Sequence, residues 1–296
     1  MKKFITNCLT IIIGIIILLF LLDFLYTKVY ENSFPRNKTQ HILGLTEETT
    51  FDYVFLGSSR VENFIKPSII KELTNKKAIN LGTQGARLDD MNIFLRLLLD
   101  KKVKIERIFV QVDYIYNFES SSVIVRSQAL PFINSNTIIN SYMKRVDSNY
   151  TENYYVPFYK YAKNDYRIGF REFFTSLINK KSKTNFYDGF VAANGTIDNK
   201  EDGTASLPLD IAKENKSIRE IDSISRSNNI DVTYFISPYC SGLESNNYIS
   251  KLRKKLPNFH DFSKTIKNDS LFANCGHLNN KGADLFTRIL IEKLDL

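Results

Sequence analysis

The sequence has no tryptophan, only three cysteines and three histidines, and no long run of charges of one sign. Three cysteines are too few for a fold held together by disulfides, and the lack of a Cys-x-x-Cys pair or a histidine cluster argues against a zinc site. The basic residues occur in short, scattered groups, so the formal net charge of +8 indicates a solvated face or a surface that meets acidic polymer or lipid. We therefore predict no nucleic-acid partner. We also find no internal repeat.

The apolar content is sufficient for a sizeable core. Of the 296 residues, 43% are hydrophobic, and 22 Phe and 16 Tyr contribute large side chains. A chain of this composition can bury enough apolar surface to offset the entropy lost on folding, which argues against disorder. Cys8 lies in the apolar N-terminal stretch. The other two cysteines, Cys240 and Cys275, could form a disulfide in an oxidising compartment or remain two buried thiols.

The N-terminus contains a long uncharged stretch. No charged residue occurs in the 19 positions from Phe4 to Leu22, which is enough to cross the hydrocarbon of a bilayer as a helix. A cleavable signal peptide has a shorter apolar region and a small-residue cleavage site, and neither feature is found here. The sequence predicts a short tail over residues 1–3, an uncleaved transmembrane signal anchor over 4–26 and a polar linker over 27–50.

Basic residues flank the predicted span on both sides, so the positive-inside rule does not settle its orientation. Lys2 and Lys3 precede the span, and Lys28, Arg36 and Lys38 follow it. A very short N-terminal tail before a long C-terminal domain most often places that domain outside the cytoplasm. We therefore expect a single-pass protein of the cell membrane with an extracytoplasmic C-terminal domain.

Four short apolar runs, each followed by a turn or polar residue, have the pattern of strands in a parallel sheet that is buried on both faces. They cover residues 53–56, 77–81, 105–112 and 230–236. Helical patterns lie between them, and the final segment places Ala283, Phe286, Leu290 and Leu294 on one helix face. This alternation predicts an α/β domain over 51–296, with three α/β/α layers around a mostly parallel sheet.

Residues 117–207 differ from the rest of this domain because they are rich in Tyr, Asn and Phe and have weak helical periodicity. We interpret them as an insertion within the domain. Two interpretations remain open: a lid or acceptor-binding surface, and a helical subdomain that merely packs against its surroundings.

Two polar segments could carry chemistry. Gly57-Ser58-Ser59-Arg60 directly follows the first predicted strand, where a tight turn into a helix can expose a hydroxyl at the carboxyl edge of the sheet. His277 lies just before the last amphipathic helix. A histidine at the mouth of a parallel sheet can accept the proton of a serine that is otherwise a poor nucleophile at neutral pH. Taken separately, a turn serine and a hydrogen-bonded structural histidine would explain both segments.

Together these segments resemble the SGNH/GDSL hydrolase family, over a stretch from about Asp52 to the C-terminus. Gly57-Ser58-Ser59 matches the first family block, Gly-x-Ser, and implies Ser59 as nucleophile. Asn80-Leu81-Gly82 looks like the second block and implies that the Gly82 amide binds the oxyanion. The last block, Asp-x-x-His followed by Leu-Asn and Gly-Ala, is matched at residues 274–283 and implies His277 as the base. The resemblance also implies a flavodoxin-like sheet.

Two positions depart from the family pattern. Where the third block should read Gly-x-Asn-Asp, residues 112–117 read Val-Asp-Tyr-Ile-Tyr-Asn, which leaves Asn117 as candidate for the second oxyanion donor. Asp113 is either a substrate contact or a polar strand end. Asn274 replaces the aspartate that orients the histidine, and an amide can orient an imidazole but cannot offset its charge. Ser59 and His277 could still act as a dyad with a backbone carbonyl, or Asp269 could approach the histidine.

The resemblance implies a membrane-anchored serine esterase or O-acyltransferase that acts on acyl groups, in the first place acetyl, of cell-envelope polysaccharide. We expect no metal and no diffusible cofactor. The expected partners are the membrane, an acylated sugar or polysaccharide and, for transfer, a membrane-bound acyl donor protein. One alternative is a catalytically silent relative that binds glycan or a membrane partner. Another is a purely structural envelope protein in which the two motifs are coincidental.

Overall fold

The computed structural model describes residues 1–182, 184–197 and 203–296. The chain divides into two compact units. The first unit consists of Met1–Gln40 and Val125–Ser182, and the second consists of His41–Ile124 and Lys183–Leu296. Of the insertion predicted over 117–207, residue 183 and residues 198–202 lie outside the described residues.

The strands all belong to the second unit. In chain order they are β1 Thr50–Leu56, β2 Ala78–Asn80, β3 Lys104–Gln111, β4 Ala205–Ser206, β5 Asp231–Ile236, β6 Leu243–Glu244, β7 Phe259–Asp261, β8 Phe272–Asn274 and β9 His277–Leu278. Five of them form a sheet in the order β2-β1-β3-β5-β7, and every neighbouring pair in it is parallel. Strands β4 and β6 form a short parallel pair, and β8 and β9 an antiparallel one.

The α-helices surround this sheet or build the first unit. In chain order they are α1 Lys2–Asn32, α2 Lys38–Leu43, α3 Ser59–Glu62, α4 Pro67–Thr74, α5 Leu88–Asp100, α6 Val123–Ala129, α7 Thr137–Val146, α8 Tyr150–Tyr155, α9 Tyr159–Lys163, α10 Asp165–Ile168, α11 Phe170–Leu177, α12 Lys216–Ser227, α13 Tyr248–Arg253 and α14 Asn280–Leu294. Single 3₁₀ turns occur at Tyr114–Asn117, Leu130–Phe132 and Asp269–Leu271.

The predicted α/β class is confirmed, because the central strands are buried on both faces. Val54 of β1 lies opposite Ile108 of β3, and both are fully buried. The next pair along, Phe55 and Phe109, points to the opposite face of the sheet and is also fully buried. Strands covered on both sides read as continuous apolar runs, which is why their sequences predicted a parallel sheet.

The last helix packs with the face that its sequence predicts. All four residues of that face, from Ala283 to Leu294, are buried, and the Phe286 ring meets the rings of Phe64 and Phe262 edge to face. Asn279 caps the helix by accepting a hydrogen bond from the Gly282 amide at 3.1 Å. This packing fixes the loop that directly precedes α14.

The strand order places a crevice beside β1. The chain runs from β1 to β2 on one side and then to β3 on the other, so the direction of winding reverses between β1 and β3. In open parallel sheets, ligands bind outside the carboxyl ends of the strands at such a reversal. The segments that follow Leu56 and Gln111 lie at this point.

Helix α1 is long and apolar enough to span a membrane. It does not end where the predicted span ends but continues through Thr27–Asn32, and α2 occupies Lys38–Leu43. Parts of the stretch predicted as a linker over 27–50 are therefore helical. The extension is stabilised because Tyr26 and Tyr30 are buried within the first unit. There they meet the rings of residues that the sequence placed in the insertion.

Candidate functional site

The turn between β1 and α3 holds Ser59 at the carboxyl edge of the sheet. A Cβ at Gly57 would lie 2.2 Å from Cγ2 of Val61 and 2.9 Å from Cβ of Gln111, so only glycine permits this approach. Ser58 caps α3, and both its amide and its hydroxyl donate to Oε1 of Gln111, at 3.1 and 2.9 Å. Ser59 begins α3 and is 8% exposed.

His277 meets Ser59 from the distant C-terminal segment. It lies on β9, and its Nε2 is 2.7 Å from Oγ of Ser59. Its Nδ1 is 3.0 Å from Oδ1 of Asn274, which also accepts from the Gly276 amide at 3.0 Å. The Gly276 amide identifies the Asn274 atom as oxygen, so Nδ1 carries the hydrogen and Nε2 presents its lone pair to the serine hydroxyl.

Other groups hold the hairpin that carries His277. Cys240 and Cys275 form a disulfide that closes a separation of 35 residues, and the Cys240 amide donates to the Cys275 carbonyl at 3.1 Å. The disulfide therefore links the chain after β5 to the residue next to Asn274. By lowering the entropy of the unfolded chain, it stabilises the folded state by roughly 4 kcal/mol. Asp269, considered above as an alternative partner of His277, instead accepts from the amide and hydroxyl of Ser241.

A buried ion pair lies next to Ser59 in the chain. Nη1 of Arg60 is 3.0 Å from Oδ2 of Asp113, and the two residues are 4% and 0% exposed. The guanidinium also donates to the Pro238 carbonyl, and its carbon lies 3.4 Å from the ring centroid of Tyr239. Asp113 accepts from Nε2 of Gln111 at 2.9 Å. Asp113 is thus a structural ion-pair partner. This agrees better with the interpretation of Asp113 as a polar strand end than with its interpretation as a substrate contact.

This environment lowers the pKa of His277. Burial of the imidazole is the largest cause, because it disfavours the charged ring, and the positive charge of Arg60 adds to the effect. The carboxylate of Asp113 opposes both. His277 is therefore neutral, with Nε2 able to accept a proton, over a wider pH range than an ordinary histidine.

The serine and histidine open onto a cleft of about 370 Å³. Aromatic rings form part of its wall, and the guanidinium of Arg87 also lines it, 4.8 Å from the ring centroid of Phe118. Tyr114, Leu207 and Tyr239 also line the cleft. A cleft whose wall combines aromatic rings with several polar side chains suits a small organic ligand or one unit of a polymer.

The two oxyanion donors expected from the sequence, Gly82 and Asn117, form hydrogen bonds with other groups of the protein. The Gly82 amide donates to Oδ1 of Asn80 at 2.9 Å, and a Cβ at Gly82 would lie 2.2 Å from the Glu62 amide nitrogen, so this glycine serves the packing of α3. The Asn117 side chain donates to the Asp210 carbonyl and accepts from the Ala212 amide. Both assignments are therefore corrected.

Two other amides are suitable donors at the cleft. Ser59 and Gly85 both line it, and neither N–H donates a hydrogen bond to any residue that the structure describes. Gly85 adopts a left-handed conformation, with φ of 65°, in the turn after β2. Sequence reasoning missed Gly85 because two glycines follow this strand and the motif alone does not show which amide is free.

Sequence reasoning also missed Arg60 and Gln111, which build the floor of the site. Arg60 directly follows Ser59 in the Gly-x-Ser turn, but an arginine in a turn is usually solvated. Gln111 is the last residue of β3, and a polar residue directly after apolar ones was the available signal. The structure brings Ser59, His277 and Asn274 together as the sequence predicted.

Comparison with known proteins adds little to this geometry. No family model matches the chain, and neither does any curated protein. Among solved structures, a protein from Streptococcus pneumonia, described provisionally as a platelet activating factor, matches with a TM-score of 0.38 and 11% identity. The match covers 98% of this chain and 99% of the other. At this level of similarity the match carries no inference about fold or function.

Proposed function

We propose that the protein is a membrane-anchored serine esterase or O-acyltransferase that acts on acyl groups, in the first place acetyl, of cell-envelope polysaccharide. The observation that carries this proposal is the 2.7 Å contact between Oγ of Ser59 and Nε2 of His277. Such a contact allows the imidazole to take the serine proton as the oxygen attacks a carbonyl carbon. The order of the motifs along the chain, which resembles that of SGNH/GDSL hydrolases, also supports ester chemistry.

The reaction begins with proton transfer from Ser59 to Nε2 of His277 as Oγ attacks the ester carbonyl. The amides of Ser59 and Gly85 donate to the resulting oxyanion. When the intermediate collapses, the C–O bond to the alcohol breaks and Nε2 returns the proton to the leaving oxygen. Water or a sugar hydroxyl then attacks the acyl-serine, with His277 again as base, and restores the Ser59 hydroxyl.

Asn274 orients the base but does not neutralise it. Its oxygen accepts from Nδ1 and so fixes the tautomer that Ser59 needs. During attack the imidazole becomes positively charged, and an amide oxygen stabilises that charge less than a carboxylate does. We therefore expect turnover below that of a site with aspartate at this position.

Helix α1 and the disulfide support the proposed location at the membrane and in the cell envelope. Helix α1 anchors the chain in the cell membrane, and a disulfide beside the catalytic histidine persists best in an oxidising compartment. We infer that the catalytic unit faces outward, where acylated polysaccharide is available. In an acyl transfer, the donor would be a membrane-bound acyl donor protein.

Fluorophosphonate labelling tests the proposed nucleophile. We expect covalent labelling of the purified wild-type protein at Ser59 and none of the Ser59→Ala variant, because the reagent traps a serine activated by a neighbouring base. The matched control is Ser58→Ala, which removes the neighbouring hydroxyl, one that donates to Gln111 and not to His277. This control should still be labelled at Ser59. Equal labelling of the wild-type protein and Ser59→Ala would exclude the assignment.

A second candidate is a catalytically silent protein that binds glycan through the same cleft, and the amide at Asn274 is the observation that favours it. Replacing Asn274 by Asp separates the two. An ionised acceptor strengthens the hydrogen bond to His277 by about 1–1.5 kcal/mol, so an active site should gain about tenfold in ester hydrolysis. We expect measurable turnover by the wild-type protein and this gain in Asn274→Asp. A wild-type protein that turns over no ester, with activity appearing only in the variant, would favour the silent binder.

A further inference from the structure

The apolar part of α1 ends where other helices of the first unit begin to pack against it. The 19 residues from Phe4 to Leu22 span about 28 Å as a helix, close to the thickness of a bilayer core. Asp23, the first charged residue after them, accepts hydrogen bonds at 2.7 Å from Nζ of Lys160 and at 2.7 Å from the Phe158 amide. If α1 spans the bilayer, these contacts lie at the level of the lipid headgroups.

One face of the last turns of α1 packs against α9, α10 and α11. The Tyr26 ring stacks on Phe173 with centroids 3.9 Å apart, and the Tyr30 hydroxyl donates to the Ile168 carbonyl at 2.9 Å. Tyr161 of α9 contacts both tyrosine rings. From Asp23 to the end of α1 the helix rises by about 14 Å, so α9–α11 are confined to a short distance from the end of the apolar span.

The end of α8, together with α10 and α11, exposes apolar side chains. We call this set the interfacial patch, and each of its members is at least 46% exposed: Tyr155, Val156, Tyr166, Phe170, Phe174, Leu177 and Ile178. On α11 the exposed residues recur at helical spacing, whereas Phe173 points to Tyr26. An exposed apolar face of this size marks a surface with a partner.

The charges around the patch indicate what covers it. Residues 159–181 contain six basic and two acidic residues. One of the acidic residues, Glu172, is paired with Arg36, so its charge is offset within the unit. Aromatic residues beside basic ones at the end of a membrane span are typical of a segment that lies in the interface with anionic lipids.

We propose that α10 and α11 lie in the membrane interface beside α1, with the interfacial patch inserted at the boundary between headgroups and acyl chains. Lys163, Arg167, Arg171 and the pair Lys180-Lys181 contact anionic lipid phosphates. The first unit then contacts the membrane through α10 and α11 as well as through the α1 span. This inference rests on the proposed crossing of the membrane by α1 and does not depend on the proposed chemistry.

The lack of tryptophan allows a direct test. Phe170→Trp introduces one fluorophore into the patch of the full-length protein, which is reconstituted in vesicles that contain phosphatidylglycerol and phosphatidylcholine brominated near the carboxyl end of the acyl chain. The matched control is Leu209→Trp, because Leu209 is 70% exposed, similar to the 67% of Phe170, but lies outside the patch. We expect quenching several times stronger at position 170 than at position 209, and a blue-shifted emission at position 170 only.

Three outcomes would overturn the proposal. Equal quenching at the two positions would remove any preference of the patch for lipid. Absence of lipid quenching at both positions, together with quenching of the Phe170→Trp fluorophore by aqueous acrylamide, would place the patch in water. Protection of the Phe170→Trp fluorophore from aqueous acrylamide without quenching by brominated lipid would show that a protein, such as a second copy of the chain, covers it. Flotation of every variant with vesicles after carbonate extraction reports the α1 span separately, so loss of flotation identifies a failure of the crossing itself.

Discussion

Replacing His277 by alanine is expected to slow acylation of Ser59 by about 10³-fold or more, because a positioned base contributes 10²–10⁴-fold and also orients the serine hydroxyl. In the structure the imidazole is the acceptor within hydrogen-bonding distance of Oγ of Ser59, at 2.7 Å. Without it, the serine would have to lose its proton to water. The measurement is the second-order rate constant of fluorophosphonate labelling at neutral pH.

The matched control is His260→Ala. His260 lies on β7, and the hydrogen bond that the structure gives its Nε2 is a 3.3 Å contact with Asn258. This variant also removes one imidazole but should label at close to the wild-type rate. If the His277→Ala variant were labelled as fast as His260→Ala, His277 would not act as the base for Ser59.

Replacing Asp113 by asparagine is expected to destabilise the second unit by about 3–5 kcal/mol, because it leaves the Arg60 guanidinium buried without a compensating charge. Both side chains are almost fully buried, at 5% and 1% exposure. For a unit of this size the loss corresponds to a fall in melting temperature of about 10 °C or more. Thermal unfolding of the detergent-solubilised chain, followed by circular dichroism, measures it.

The comparison is with Glu47→Gln, which breaks the ion pair with Lys102 where the side chains are 64% and 75% exposed. Such exposed pairs contribute less than about 1 kcal/mol, so its melting temperature should barely change. The double variant Arg60→Met/Asp113→Leu removes both charges and should recover much of the stability. If Asp113→Asn melted no earlier than Glu47→Gln, the ion pair would not support the floor of the site.

The sequence predicted most of the sheet, since its strands are buried on both faces and read as apolar runs. It did not predict β7, because Phe259–Asp261 is three residues long and only Phe259 is buried. The helices of the first unit were also poorly predicted. Their aromatic residues pack against Tyr26 and Tyr30 of α1, more than a hundred positions away, and such distant partners leave no local periodicity.

The contact between Ser59 and His277 was predictable. Ser59 follows β1 at the carboxyl edge of the parallel sheet, and the segment that carries His277 was expected at the same edge. Which amide faces the cleft was not predictable, since the segment after β2 contains both Gly82 and Gly85 and only the folded structure distinguishes them. The burial of Arg60 was also hidden, because a charged residue is buried only when a partner such as Asp113 is brought to it by the fold.

The proposed function requires that His277 takes the proton of Ser59, and the pH dependence of the labelling rate tests this most directly. Nε2 accepts a proton only when the imidazole is neutral, and burial together with Arg60 lowers the pKa of His277 below its ordinary value of 6.5. The labelling rate of the wild-type protein should therefore be constant near neutral pH and fall on acidification, with a midpoint below 6.5, whereas His277→Ala should lack this inflection. A wild-type rate that rises steadily with hydroxide concentration, as it would for an unassisted serine, would contradict the account.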